Sequence, residues 1–175
     1  MVSPVHRSNL DFMLPAVAIG RPVRWMAKDS IFRGGMIDVF LYAMGSFPVN
    51  RSGVDRQSLL ACEQVVADGE PIVMFPEGRR KAGDEIEALF DGPAFVACHE
   101  RVPILPIGIG GSDLAMPIGS KLVYPKKIVL VIGEPIYPDV PLEGRVPRVL
   151  VTATTERLHA ALQPLYDEAR TRAGA

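Results

Sequence analysis

His6 and Asp11 stand five residues apart near the start of the chain, in Val5-His6-Arg7-Ser8-Asn9-Leu10-Asp11. That separation does not set two side chains on one face of a straight helix, so the pair can meet only across a turn. If they meet, the Asp11 carboxylate fixes one tautomer of the imidazole, and the other ring nitrogen takes a proton from an attacking hydroxyl. Such a dyad is a triad without its serine: an acceptor alcohol is the nucleophile, and no covalent enzyme intermediate is needed. Taken alone, the pattern is a common accident and reads more readily as an exposed polar loop with Asp11 capping a helix.

A second cluster, Phe75-Pro76-Glu77-Gly78-Arg79-Arg80, places a carboxylate, a flexible glycine and two guanidinium groups directly after an apolar run. Guanidinium forks suit the bidentate grip of a phosphate. The plainer reading is a solvated basic turn.

Short apolar runs alternate with amphipathic stretches, the pattern of an α/β domain with a mostly parallel central sheet flanked by helices. The run Pro71 to Phe75 reads as a strand buried on both faces, cut off by Pro76-Glu77-Gly78, and in open parallel sheets ligands bind beyond the carboxyl ends of strands. Further strands are predicted at Pro22 to Ala27, Pro103 to Gly108, Lys121 to Tyr124 and Lys127 to Ile132. Helices are predicted from Ser30 to Met44, from an Asp55 N-cap to Gly69, and around Pro93 to His99, with a loop at Gly45 to Gly53. A last helix carries Val149, Leu150, Leu158, Ala161, Leu162 and Leu165 on one stripe, and Pro164 should kink or divide it.

With 175 residues, 48% of them hydrophobic, the chain suits a single domain over residues 1–175 with one core. The balance of 19 basic against 20 acidic residues excludes a disordered tail and a nucleic-acid-binding domain, so any attraction to phosphate must come from local clusters. Cys62 and Cys98 lack partners at metal-ligand spacing and read as buried core thiols. No run of about 18–20 apolar residues is long enough to span a bilayer, and no signal segment opens the chain, which points to the cytoplasm. A mean hydropathy of +0.19 is high for a soluble protein and leaves room for an apolar patch that rests on a membrane or holds an acyl chain.

Taken together, the motifs resemble the PlsC-like glycerolipid acyltransferases of the lysophosphatidate acyltransferase type, whose four sequence blocks have counterparts in order over nearly the whole chain. These are Val5 to Asp11, Gly45-Ser46-Phe47-Pro48-Val49-Asn50-Arg51, Phe75 to Arg80, and Val102-Pro103-Ile104-Leu105-Pro106-Ile107. The resemblance implies a glycerol-3-phosphate acyltransferase-like fold. It also implies transfer of an acyl group from acyl-CoA or acyl-carrier protein to the free hydroxyl of a lysophospholipid, most simply 1-acylglycerol-3-phosphate, in phospholipid biosynthesis. By the same resemblance His6 is the general base, Asp11 orients it, and Arg51 with Arg80 binds the acceptor's phosphate. Glu77, with Gly78, binds the acceptor or organises the loop, and Lys28 adds positive charge near the phosphate or is an ordinary surface lysine. No metal or cofactor is implied, the donor being a substrate, and the expected location is peripheral on the inner face of the membrane.

The chain departs from the family's pattern in several places. The membrane-associating helical segment and leading strand that usually precede the histidine are expected to be missing: either the start is shortened, or membrane docking and acyl-chain accommodation rely on other apolar surfaces such as Phe12 to Ile19 or Ile31 to Phe47. Val5 replaces the usual Asn, Arg79 the usual Thr, and Asp91 a residue that is often basic, which leaves the acceptor's identity open. A noncatalytic lipid-binding scaffold of the same fold and an acyltransferase for another hydroxylated lipid are the alternatives. A serine hydrolase is disfavoured, since no Gly-x-Ser-x-Gly elbow occurs. His99 and His159 have no motif carboxylate and read as surface or packing residues.

Overall fold

The computed structural model describes residues 1–49 and 56–175. Six strands form one sheet in the order β3-β2-β4-β1-β5-β6: β1 (Val2–Pro4), β2 (Arg24–Lys28), β3 (Ser46–Val49), β4 (Ile72–Val73), β5 (Leu105–Gly110) and β6 (Val129–Ile132). The first five are mutually parallel and β6 runs antiparallel to β5. Helices α1 (Leu14–Ile19), α2 (Met36–Ala43), α3 (Arg56–Ala67), α4 (Gly92–Glu100), α5 (Ser112–Ala115) and α6 (Arg148–Ala173) connect and flank them. The chain steps outward from β1 to β2 to β3 and then back through β4 to β5. Right-handed crossovers therefore put α1 and α2 on one face and α3 and α4 on the other, where α4 meets α6.

Several elements depart from the sequence expectation, each for a local reason. The leading strand expected to be missing is present: Val2–Pro4 is fully buried and sits between β4 and β5 inside the sheet. The expected helix from Ser30 is shorter, because Gly34 and Gly35 take φ of 84° and 83° and hold the helix start back to Met36. The expected loop after Gly45 opens as an edge strand, Ser46–Val49 pairing with Trp25–Lys28, and its Pro48 is a residue that sheets tolerate at an edge. The Asp55 cap lies outside the described residues. Lys121 to Tyr124 forms no strand and runs exposed between α5 and β6.

Helix α6 is not divided at Pro164; it runs unbroken from Arg148 to Ala173. Its buried face is Val151, Thr154, Thr155, Leu158, Leu162, Tyr166 and Ala169, with Val149 outside it. What holds this helix is its approach to β5. A Cβ added at Gly108 would lie 2.2 Å from the Leu165 carbonyl oxygen, and one at Gly110 would lie 2.3 Å from the Ala169 carbonyl. Main chain thus rests on main chain, and Ile104, Ile107, Leu158 and Leu162 close the core around that contact.

Candidate active site

Because the five strands are parallel, the turns after β1 and β4 emerge at one edge of the sheet. Val5 still donates to the Ile107 carbonyl (3.1 Å), and His6 follows as the chain leaves the sheet. Ser8 is extended (φ −138°) and caps a short 3-10 turn, Asn9–Phe12, its hydroxyl accepting from the Leu10 N–H. This turn folds Asp11 back on the histidine: Asp11 Oδ2 lies 3.2 Å from His6 Nδ1 and accepts the Arg7 and Ser8 N–H groups at 2.6 Å each. The carboxylate is buried and fixed by two backbone donors, so the orientation it imposes on the ring is fixed too. The other face of the ring's environment is aromatic, with Phe75 stacked at 3.9 Å.

Arg7 and Glu77, both fully buried, form the support beneath this turn. Arg7 Nη1 donates to both Glu77 oxygens (2.7 and 2.6 Å), Nε donates to Tyr166 Oη (3.1 Å) and Nη2 to the Glu85 carbonyl (3.2 Å). Burial works to lower the Arg7 pKa, but the hydrogen bond and charge of Glu77 together with Tyr166 outweigh it and raise it. Burial likewise pushes the Tyr166 hydroxyl up, against the opposing pull of Arg7. Glu77 Oε1 also accepts the His6 N–H (3.0 Å), while the His6 carbonyl accepts from the Lys81 N–H (2.9 Å). The backbone of His6 is therefore clamped on both sides by the turn after β4. Of the two roles considered for Glu77, its geometry fits loop organisation, since Arg7 and His6 occupy its carboxylate.

Sequence reasoning missed Arg7 and Tyr166. Arg7 lies inside a recognised block, and its burial was not visible because its partners are 70 and 159 residues away. The sequence carried no clear signal, because Asp11 four residues on offered a nearer carboxylate; in the structure Asp11 is taken up by His6 and by the Arg7 and Ser8 N–H groups, which leaves the buried Arg7 guanidinium to a distant partner.

A cavity of about 600 Å³ opens beside His6, walled by Met74, Phe75, Leu59 and Phe90. Its lining is mostly apolar; among the described residues it carries the cations Arg79 and Lys81 and the carboxylates Glu77 and Glu87, Lys81 being paired with Glu87. Arg80 and Lys28 are absent from the lining formed by the described residues: Arg80 is half-buried, and Lys28 is exposed at the end of β2. Arg51 lies outside the described residues. Gly78 has φ of 68°, and a Cβ there would meet the Phe90 ring at 2.9 Å, so no other residue fits this wall unchanged. Among the described residues no cluster of three His, Cys, Asp or Glu side chains could hold a metal ion. His99 contacts the Phe95 carbonyl and lies 3.6 Å from Glu63, and His159 contacts the Ile86 carbonyl; neither lines the cavity. Cys62 and Cys98 are free, buried thiols, and burial pushes Cys62 up to about 12.

Comparison with known proteins identifies the family. The model of the family described as "Acyltransferase" matches residues 1–110, a span that contains both motif turns and the Arg7–Glu77 pair. A Chlamydomonas reinhardtii protein named 1-acyl-sn-glycerol-3-phosphate acyltransferase is 30% identical over 139 residues, covering 77% of this chain and 41% of its own length. A Bacillus subtilis protein of the same name is 29% identical over 138 residues, covering 78% of this chain and 66% of its own. The chain thus spans only part of these relatives. The crystal structure titled as the 1-acyl-sn-glycerophosphate (LPA) acyltransferase PlsC from Thermotoga maritima superimposes with a TM-score of 0.69 at 21% identity, over 91% of this chain and 63% of that one, and so shares the fold. With the histidine–aspartate turn, the glutamate–glycine turn and the matched span coinciding, the chain belongs to the acyltransferase family.

Proposed function

We propose that this chain transfers a fatty acyl group from a thioester to the free hydroxyl of 1-acylglycerol-3-phosphate. The observation that carries the reading is the His6–Asp11 pair, 3.2 Å apart, at the wall of an apolar cavity that also presents Arg79. Asp11 holds Nδ1, and Nε2 takes the proton of the acceptor hydroxyl as its oxygen attacks the thioester carbonyl carbon. The tetrahedral intermediate then collapses, the carbon–sulfur bond breaks, and the departing thiolate takes the proton back from the imidazolium. Ester and free thiol are the products, and the histidine is restored. Acyl-CoA and acyl-carrier protein both present the required thioester. The cavity's apolar wall suits an acyl chain, and its cations suit a phosphate.

The names of the relatives agree in acceptor, and no described helix is long and apolar enough to cross a membrane, which fits a protein that meets lipid at a membrane surface. The test is transfer of radiolabelled acyl groups by the purified protein from acyl-CoA or acyl-carrier protein to 1-acylglycerol-3-phosphate. His6→Ala should abolish transfer and retain acceptor binding. Label moved equally well by that variant, or by neither protein with any donor, would end the proposal.

A further inference from the structure

The segment between α5 and β6 leaves Leu122 66%, Val123 61%, Ile118 52% and Tyr124 45% exposed. Their backbone is held in place. The Ser120 hydroxyl bonds both the N–H and the carbonyl of Leu122 at 3.0 Å, and the Tyr124 N–H donates to the Ala115 carbonyl at 2.7 Å. From Leu114 to Gly133 there is no acidic residue, while Lys121, Lys126 and Lys127 are all exposed. Lys127 donates to the Arg172 carbonyl at the end of α6, and the other two ammonium groups make no ion pair among the described residues.

This loop leaves β5 and enters β6 at the same edge of the sheet from which His6 emerges. The Ser8 hydroxyl, which caps the His6–Asp11 turn, donates to the Met116 carbonyl at 2.9 Å and ties the loop to that turn. Helix α2 exposes a larger apolar face, including Met36 and Phe40. Its segment, though, carries Asp29 and Asp38 against the single Arg33, so charge says nothing about what would cover it.

We propose that the loop from Ile118 to Lys127 docks this chain on an anionic phospholipid bilayer. The apolar side chains enter below the headgroups and the lysines pair with lipid phosphates. A bilayer supplies hydrocarbon and negative charge in adjacent layers, matching four apolar side chains interleaved with lysines; an acidic protein would have to supply an apolar pocket for Leu122 and Val123 as well. The inference rests on the reading above in taking the acceptor from a membrane, and it names the surface that brings His6 to that membrane.

Sedimentation with vesicles tests it without using activity. The wild type should bind mixed phosphatidylcholine–phosphatidylglycerol vesicles, bind pure phosphatidylcholine more weakly, and release from the mixed vesicles as salt rises. Replacing Leu122 and Val123 together by Ser should cut binding about tenfold or more. Lys121→Gln and Lys126→Gln should each cut it about fivefold. Met36→Ser with Phe40→Ser should leave it unchanged. Loop variants that bind like wild type, loss of binding through the α2 variants alone, or loop-dependent capture of acyl-carrier protein in place of vesicles would each overturn the assignment. A wild type that binds vesicles through the loop but transfers no acyl group sinks the proposed reaction and leaves the docking surface standing.

Discussion

Arg7 meets Glu77 through Nη1 alone, because Nη2 is committed to the Glu85 carbonyl and Nε to the Tyr166 hydroxyl on α6. An arginine with a carboxylate ordinarily makes two parallel bonds from two nitrogens, and that arrangement would draw Glu77 Oε1 away from the His6 N–H it accepts. Tyr166→Phe removes only the hydroxyl and leaves Nε without its acceptor, so the guanidinium can turn to present Nε and Nη2 together to Glu77. The expected outcome is an unfolding midpoint close to wild type with a kcat lower by about tenfold and little change in KM, the signature of a displaced base. Faster hydrogen exchange at the His6 amide checks the same displacement; wild-type exchange and kcat would contradict it.

Breaking the buried pair should cost far more than removing it whole. Arg7→Met or Glu77→Leu alone leaves a buried charge without its partner and should destabilise the fold by about 3–5 kcal/mol. The double variant should regain most of that stability in denaturant titrations while remaining poorly active, since the His6 N–H has lost its acceptor. Two single variants as stable as wild type would show that the pair does not hold the turn.

Asp11 and Arg79 should separate in steady-state kinetics. Asp11→Asn removes the acceptor that fixes the imidazole tautomer and should lower kcat about 100-fold or more, with the acceptor KM little moved. Arg79→Gln should raise the KM for the acceptor with kcat nearly unchanged, and should do so more than Arg80→Gln, because Arg79 is the one at the cavity wall. An equal effect of the two arginines would argue against that wall as the phosphate's seat.

Burial raises the Cys62 thiol from its ordinary 9.0 to about 12. A thiol held protonated in the fold favours the native state fully below pH about 9, and that contribution is lost as pH rises from 9 toward 12, where the unfolded chain ionises first. Iodoacetamide at pH 8 should leave Cys62 unlabelled in the folded protein and label it in denaturant. Rapid labelling of the native protein would show that the site opens.

The sequence made the two functional turns legible because each places its chemistry within a few residues, as in His6 with Asp11 and Glu77 with Gly78. The parallel sheet was equally readable from its alternating apolar runs. What stayed hidden was long-range: the partnership of Arg7 with Glu77 and Tyr166 spans most of the chain and leaves no periodic mark. Short strands failed for a related reason. Val2–Pro4 and Ser46–Val49 are too brief to show alternation, and only pairing to neighbours defines them. Lys121 to Tyr124 has strand-like composition and no neighbour to pair with, so composition misled there. The cavity, in turn, shows Arg79 at a wall where the linear motif had favoured Arg80.

Where α6 lies on Gly108 and Gly110, its carbonyls at Leu165 and Ala169 sit in two notches of the sheet, one helical turn apart. These notches index the helix along its own axis. Sliding by a single residue would shift it about 1.5 Å, enough to lift the Tyr166 hydroxyl off the Arg7 guanidinium. Two absent side chains in β5 thus calibrate the position of a histidine just beyond the neighbouring strand, and a methyl group added at either one would detune the site from a distance.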